Sequence, residues 1–173
     1  MNHPNEAAAT EDFEFAALSE AVNYRRAIVT EFAPFLRGRI LEVGAGIGQT
    51  SEAILELPAV AELVGVEPDA RFQQGFRERL PTTRLVAGTT ADLDAGEAFD
   101  AAVMVNVLEH IEHDVEELAR LREILRHGAG HLCILVPARQ ELYSRLDSDF
   151  GHFRRYDKPL LAGRLREAGF MVR

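Results

Sequence analysis

The chain has 173 residues, of which 47% are apolar and 27% are charged, and its formal net charge is −9. These values are ordinary for one globular domain with a hydrophobic core, and they exclude a disordered chain. The acidic surplus argues against a nucleic-acid partner, because proteins that bind polyanions normally carry a basic surplus. The single cysteine, Cys133, excludes an internal disulfide and a cysteine-rich metal site.

Neither a membrane span nor a secretory signal is visible in the sequence. No segment approaches the ~20 consecutive apolar residues that a membrane-spanning helix needs. Residues 1–12 lack the basic and apolar regions of a signal peptide. We therefore expect a flexible tail over residues 1–12, a single domain over residues 13–173, a cytoplasmic location and no membrane partner.

Helices and strands alternate along the chain. A helix is predicted from Phe13 to Leu36, and later helices over 49–57, 68–81, 112–126 and 157–168. Strands are predicted over 40–43, 63–66, 84–86, 101–105 and 132–136, with a sixth starting at Phe170. This alternation predicts an α/β fold with a mostly parallel sheet that helices cover on both faces. Ligands of such sheets bind at the carboxyl ends of the strands.

A glycine-rich loop, Gly44-Ala45-Gly46-Ile47-Gly48, follows the first predicted strand. Glycines let a ligand approach the backbone, and the next helix offers free N–H groups at its first turn. A dinucleotide fingerprint would have a glycine at position 49, where this chain has Gln49. The loop therefore argues against a pyrophosphate seat. Glu67, at the end of the second strand, is positioned to accept hydrogen bonds from a ribose.

Four blocks in order resemble the class I S-adenosylmethionine-dependent methyltransferases. They are the segment from Glu42 to Gly48, Val66-Glu67-Pro68, Phe99-Asp100 with Val103 to Ile111, and Gly130 to Pro137. The tract from Leu142 to Tyr156 is similar to a bacterial subset of the small-molecule branch. The resemblance implies a Rossmann-like three-layer sandwich. It also implies S-adenosylmethionine as the cofactor and a small molecule as the methyl acceptor.

The same resemblance implies cofactor-binding roles for individual residues. Glu42, Gly44 and Gly46 would line the methionine end, Glu67 would hold the ribose, and Pro68 would lie against the adenine. Three consecutive residues, Thr90, Ala91 and Asp92, fall where the adenine amino group is usually met. Asn106 would contribute backbone near the sulfonium, and Tyr24 on the entry helix would close over the cofactor or, alternatively, pack on the sheet.

The chain departs from the family pattern in two places. Many relatives carry Gly-Asp after the third strand, whereas this chain has Gly88-Thr89-Thr90-Ala91-Asp92. The residue that reads the adenine is therefore left open. The family sheet ends in an antiparallel hairpin, and we expect its final antiparallel strand to be missing here because residue 173 falls within the predicted sixth strand.

His110 and His152 are the candidate catalytic residues, because a hydroxyl acceptor needs a base and both follow strands that lead to the expected site. The alternative for each is a structural or surface histidine. The spacing of His110 and His113 is compatible with two metal ligands, but in this motif we predict no metal site.

The segment from Tyr143 to Tyr156 is rich in arginine, with Arg145, Arg154 and Arg155 in an otherwise acidic chain. Arginine suits carboxylate or phosphate groups, so one hypothesis is a lid over an anionic acceptor. The alternative is that these arginines pair with nearby acids and fold the loop.

The function predicted from these patterns is S-adenosylmethionine-dependent methyl transfer to a small molecule. Two alternatives stay open at this point. One is a non-catalytic module that binds a cofactor or a partner, and the other is a nicotinamide-dependent oxidoreductase.

Overall fold

The computed structural model describes residues 21–126 and 130–172. Its strands are β1 (Gly38–Val43), β2 (Val60–Glu67), β3 (Arg84–Ala87), β4 (Ala101–Val105) and β5 (His131–Leu135). Its α-helices are α1 (Val22–Phe32), α2 (Gln49–Leu55), α3 (Ala70–Arg79), α4 (Asp114–Ile124), α5 (Arg145–Asp149) and α6 (Lys158–Glu167). Short 3-10 turns lie at Ala33–Phe35, Thr90–Asp92, Leu108–His110 and Gln140–Leu142.

The five strands form one parallel sheet in the order β3-β2-β1-β4-β5. Val43 at the end of β1 pairs with Val66 of β2 on one side and with Met104 of β4 on the other. The carboxyl ends of these three strands therefore meet at one edge of the sheet. Strand order reverses between β1 and β4, and open α/β sheets bind ligands at such a switch point.

Neighbouring residues of β1 bury their side chains on opposite faces of the sheet. Leu41 of β1 belongs to a core cluster with Leu118 and Leu121 of α4. Ile40, its neighbour, belongs to a second cluster with residues that include Val29 of α1 and Ile54 of α2. The sheet is thus covered on both faces, which confirms the predicted three-layer α/β architecture. Cys133 packs in the second cluster as a buried strand residue.

The first predicted helix differs from the structure at its carboxyl end. In the described part it runs from Val22 to Phe32 and then tightens into a 3-10 turn that contains Pro34. Proline lacks the N–H that would continue an α-helix, so the helix ends before the predicted Leu36. The predicted start at Phe13 and the predicted tail over residues 1–12 lie outside the described residues.

The sixth strand predicted from Phe170 is wrong. Phe170 to Val172 adopt no regular secondary structure. After Gly169, which has a positive φ of 88°, the N–H of Phe170 donates to the carbonyl of Leu165. That hydrogen bond holds the segment at the end of α6 and not at the sheet. The N–H of Phe170, which could have paired with a neighbouring strand, donates to a carbonyl of the helix instead. Among the described residues, no helix is long and apolar enough to cross a membrane.

Candidate active site

A cavity of about 560 Å³ opens at the carboxyl ends of β1, β2 and β4. It lies where the parallel sheet and its strand order place ligand sites. The residues that line it are Val43, Gly44, Gly46, Val66, Glu67, Pro68, Asp69, Arg71, Phe72, Thr89, Thr90, Asn106, Val107, His110, Ile111, Glu117 and Phe150. Seven of the residues predicted to bind the cofactor or to act in catalysis are among them: Gly44, Gly46, Glu67, Pro68, Thr90, Asn106 and His110.

Gly44 and Gly46 form the floor of the cavity, and each needs glycine for a different reason. Both have positive φ, +70° at Gly44 and +54° at Gly46. A Cβ added at Gly44 would collide with the side chain of Val107, so this glycine is required by packing. A Cβ added at Gly46 would meet nothing within 4 Å. The backbone at Gly46 is therefore open to a ligand that enters the cavity.

Glu67 is held in place by two backbone N–H groups. Its Oε2 accepts from Gly46 and its Oε1 accepts from Asp69, both at 2.8 Å. Burial raises the pKa of Glu67, and the two backbone hydrogen bonds oppose that rise. Each carboxylate oxygen can accept a further hydrogen bond. A carboxylate fixed in this way suits a vicinal diol such as that of a ribose.

Glu42 lies behind this floor rather than in the cavity wall. It is 3% exposed, and the hydroxyl of Ser51 donates to its carboxylate through a short hydrogen bond. Burial raises the pKa of Glu42 to about 8, with a further contribution from the nearby Glu67. The structure therefore does not place the Glu42 carboxylate among the groups that line the cavity.

The loop after β3 places Thr90 in the cavity wall, whereas Asp92 forms hydrogen bonds within the loop itself. The Asp92 carboxylate accepts from the backbone N–H of Thr89 at 2.8 Å and from its hydroxyl at 3.1 Å, which closes a capping box. Neither Asp92 nor Ala91 lines the cavity. The hydroxyl of Thr90 donates to Glu117 of α4 at 2.7 Å, so Glu117 adds a carboxylate to this wall.

Tyr24 is not brought to the cavity. It lies on α1 and is 46% exposed. Within the described residues it is not among those that line the cavity. Whether it closes over a bound cofactor stays a prediction of the sequence.

His110 and His152 meet at the other end of the cavity, where α5 and the turn after β4 approach each other. Their rings pack edge to face, with centroids 4.6 Å apart. Burial lowers the pKa of His110 to about 4, and the neighbouring His152 contributes to this fall. A hydrogen bond with the Gly151 backbone acts in the opposite direction and raises the pKa. His110 nevertheless lines the cavity and is exposed there. His152 is buried behind it.

His152 is oriented by Asp147. Its Nδ1 lies 3.3 Å from Oδ1 of Asp147. The same carboxylate oxygen accepts a hydrogen bond from Nε of Arg155 at 2.6 Å. Burial works to raise the pKa of Asp147, but hydrogen bonds led by that from Arg155 hold it well below its usual range. This carboxylate is therefore charged and fixed.

The arginines of the predicted lid are used to fold the segment. Arg155 binds Asp147, and Arg154 donates to the carbonyls of Ile111 and Glu112, both at 2.8 Å. Arg154 also lies 3.1 Å from the buried Asp114. For Arg154 and Arg155 the structure thus agrees with the loop-folding alternative, although Asp114 lies outside the segment itself.

The cavity residues that were not predicted as site residues include Arg71, Phe72, Glu117 and Phe150. Phe72 and Arg71 follow Glu67 in the first turn of α3, and position in that turn could have indicated them. Glu117 comes from α4, where no local pattern marks it. Phe150 comes from the end of α5, within the tract from Leu142 to Tyr156.

Comparison with known proteins places the chain in a family. Residues 15–173 match the family described as "Methyltransferase domain". The chain therefore belongs to the methyltransferase-domain family, which uses S-adenosylmethionine as its methyl donor. This agrees with the resemblance found in the sequence.

Individual relatives are similar at a more distant level. A ubiquinone biosynthesis O-methyltransferase of Ruegeria sp. is 29% identical over 124 residues, which cover 65% of this chain and 47% of the relative. A trans-aconitate 2-methyltransferase of Rhizobium rhizogenes is 29% identical over 57% of this chain and 38% of its own length. The chain thus spans about half, or less, of the length of these curated relatives.

A solved structure supports the fold. Magnesium protoporphyrin IX methyltransferase of Synechocystis, determined with bound S-adenosylmethionine, superimposes with a TM-score of 0.61 at 15% identity. The match covers 88% of this chain and 68% of that one. It shows that the two chains share the Rossmann-like methyltransferase fold.

Proposed function

We propose that this chain transfers a methyl group from S-adenosylmethionine to a small molecule. The observation that carries the proposal is the joint position of Gly46 and Glu67, which form one hydrogen-bonded wall of the cavity. The open space at Gly46, where a Cβ would meet nothing, fits a cofactor that approaches the backbone closely.

Each part of the cofactor has residues that could hold it. Glu67 would accept hydrogen bonds from the ribose hydroxyls, and the backbone of Gly44 and Gly46 would receive the methionine end. Pro68 and Thr90 would border the adenine. The cofactor supplies an electrophilic methyl group, and the protein contributes mainly proximity and orientation.

The acceptor would enter beside His110, which is the histidine that opens onto the cavity. Two relatives carry methyltransferase names for small acceptors, one of them an O-methyltransferase. A hydroxyl-bearing small molecule is consistent with the name of the O-methyltransferase. His110, with His152 packed against it, is the side chain proposed to lie beside that hydroxyl.

An anionic acceptor and a cytoplasmic location stay predictions of the sequence. Arg154 and Arg155, which motivated the anionic group, are engaged in internal hydrogen bonds. The proposed acceptor is therefore defined by a hydroxyl near His110 and not by a negative charge.

Calorimetry with S-adenosylhomocysteine and, separately, with NAD tests the cofactor. Binding of the first and not of the second is expected, and tight NAD binding alone would revive the oxidoreductase alternative. Turnover against a panel of hydroxylated metabolites tests catalysis. Cofactor binding without any turnover on that panel would instead favour the non-catalytic module.

A further inference from the structure

We propose that Glu109, His110 and His152 bind a divalent transition-metal ion at the acceptor end of the cavity. The sequence predicted no metal site, and the spacing that it offered was that of His110 and His113. The binding itself is independent of the proposed methyl transfer. Only the role of the ion, described below, rests on that function.

The three side chains converge although they come from two parts of the chain. Each offers one ligand atom, and these atoms all lie within 4.8 Å of one another. Glu109 and His110 belong to the 3-10 turn after β4, while His152 follows α5. The N–H of Phe153 donates to the carbonyl of Glu109 at 2.8 Å, which fastens the two segments together. The cluster is therefore built by the fold and not by one flexible loop.

The burial of the cluster is graded towards the cavity. Glu109 is fully buried and His152 is 7% exposed, whereas His110 opens onto the cavity. A bound ion would thus have protein on one side and space for an exogenous oxygen on the other. Sites with three protein ligands and an open position are typical of catalytic zinc.

Asp147 gives His152 the support that metal-binding histidines usually have. Its Oδ1 lies 3.3 Å from Nδ1 of His152, so Nε2 is the nitrogen left for an ion. Arg155 and the backbone and hydroxyl of Ser144 hold Asp147 in turn. Histidines that ligate metals almost always donate their second N–H to such an oxygen, which fixes the ring and raises its basicity.

The donor set indicates which ions the cluster would prefer. Two imidazoles and one carboxylate suit Zn²⁺, Co²⁺ or Fe²⁺, whereas Mg²⁺ and Ca²⁺ prefer oxygen ligands. An acceptor hydroxyl bound at the open position would become more acidic and release its proton to solvent. The oxygen would then be ready for methylation without a protein base.

Titration calorimetry with Zn²⁺, on protein first stripped with a chelator, tests binding directly. One ion per chain is expected, with micromolar or tighter affinity. His110→Ala and His152→Ala should each lose at least about tenfold in affinity. The matched control is His113→Ala, which removes an exposed histidine outside the cluster and should bind Zn²⁺ as wild type does. Mg²⁺ should compete weakly at most.

Asp147→Asn extends the test to the supporting carboxylate. Loss of such a group typically lowers metal affinity about 10–100-fold. Circular dichroism and S-adenosylhomocysteine binding of each variant separate a lost ligand from a lost fold. The proposal is overturned if the stripped wild type does not bind Zn²⁺, or if all three histidine variants bind it equally. Either result would leave the proposed methyl transfer standing, because cofactor binding is measured separately.

Discussion

The backbone N–H of Gly46 donates to Oε2 of Glu67 at 2.8 Å, which joins the loop after β1 to the end of β2. Glu67 is thereby fixed by the same loop that forms the cavity floor. The second N–H on this carboxylate comes from Asp69, at the start of α3. One carboxylate thus links the loop after β1, the end of β2 and the start of α3.

Replacing Glu67 should therefore weaken cofactor binding. A hydrogen bond to a charged group contributes about 1.5–3 kcal/mol. Glu67→Ala removes the acceptors for the ribose and loosens Gly46, so the affinity for S-adenosylhomocysteine should fall at least about tenfold. Calorimetry checks this, with Glu56→Ala as the control for loss of an exposed carboxylate. An unchanged dissociation constant in Glu67→Ala would refute the ribose assignment.

Gly44 and Gly46 should respond differently to the same substitution. Both have positive φ, and a left-handed conformation costs a non-glycine residue roughly 1–2 kcal/mol. Gly44→Ala adds a collision with Val107, whereas Gly46→Ala adds none. Thermal unfolding should show a larger fall in Tm for Gly44→Ala. Gly46→Ala should stay folded yet lose S-adenosylhomocysteine binding, and normal binding by that variant would show that the loop is not the cofactor seat.

Glu42 should make the stability of the folded chain depend on pH. Its pKa is about 8 in the folded chain and 4.5 in its ordinary state, so the folded state retains a proton that the unfolded state has lost. The stability that Glu42 contributes is fully present below the unfolded pKa of 4.5. It is lost as the pH rises through the folded pKa of about 8. Glu42→Gln cannot ionise and keeps the shape of the side chain.

The measurement for Glu42 is Tm against pH for wild type and Glu42→Gln. The variant should gain stability relative to wild type as pH rises from about 5 to about 9. Glu56→Gln, a substitution of an exposed carboxylate, should run parallel to wild type over the same range. Parallel curves for Glu42→Gln as well would mean that this carboxyl group ionises normally in the folded state.

Local patterns predicted the sheet and the cavity floor because their causes are local. Apolar runs specify β1 and β4, and glycines at 44 and 46 specify a loop that only glycine adopts easily. The contact between His110 and His152 has no such signature. Forty-two positions separate them, and the packing of the segment after β5 against the turn after β4 decides whether they meet.

Asp92 belongs to a local pattern, a capping box, that can be read from the sequence. Thr89 and Asp92 have the spacing of a capping box, and the structure uses them so. The family resemblance, by contrast, implied a role for Asp92 beside the adenine. Tyr24 is a different case, because the angle at which α1 sits against the sheet decides where its side chain points. Periodicity along a helix carries no information about that angle.

Arg154 has a structural role, whereas Arg145 is a solvent-exposed arginine. Arg154 donates to the carbonyls of Ile111 and Glu112 and lies 3.1 Å from Asp114, whose side chain is 3% exposed. Arg145 is 81% exposed, and its ion-pair partner in the described part of the chain is Asp149, at 3.5 Å. Removing one partner of a buried pair typically costs about 3–5 kcal/mol, whereas an exposed pair contributes about 0–1 kcal/mol.

Arg154→Ala should therefore lower Tm by many degrees, and Arg145→Ala should leave it nearly unchanged. Arg154 is partly exposed, so its loss should cost less than the loss of one partner of a fully buried pair, about 2–3 kcal/mol. Thermal unfolding of both variants checks this, together with S-adenosylhomocysteine binding well below the melting temperature, where affinity should stay within a few-fold of wild type. If Arg154→Ala instead melted like wild type, retained cofactor and lost turnover, its guanidinium would be contacting the acceptor, and the hypothesis of an anionic acceptor would replace the structural role argued above.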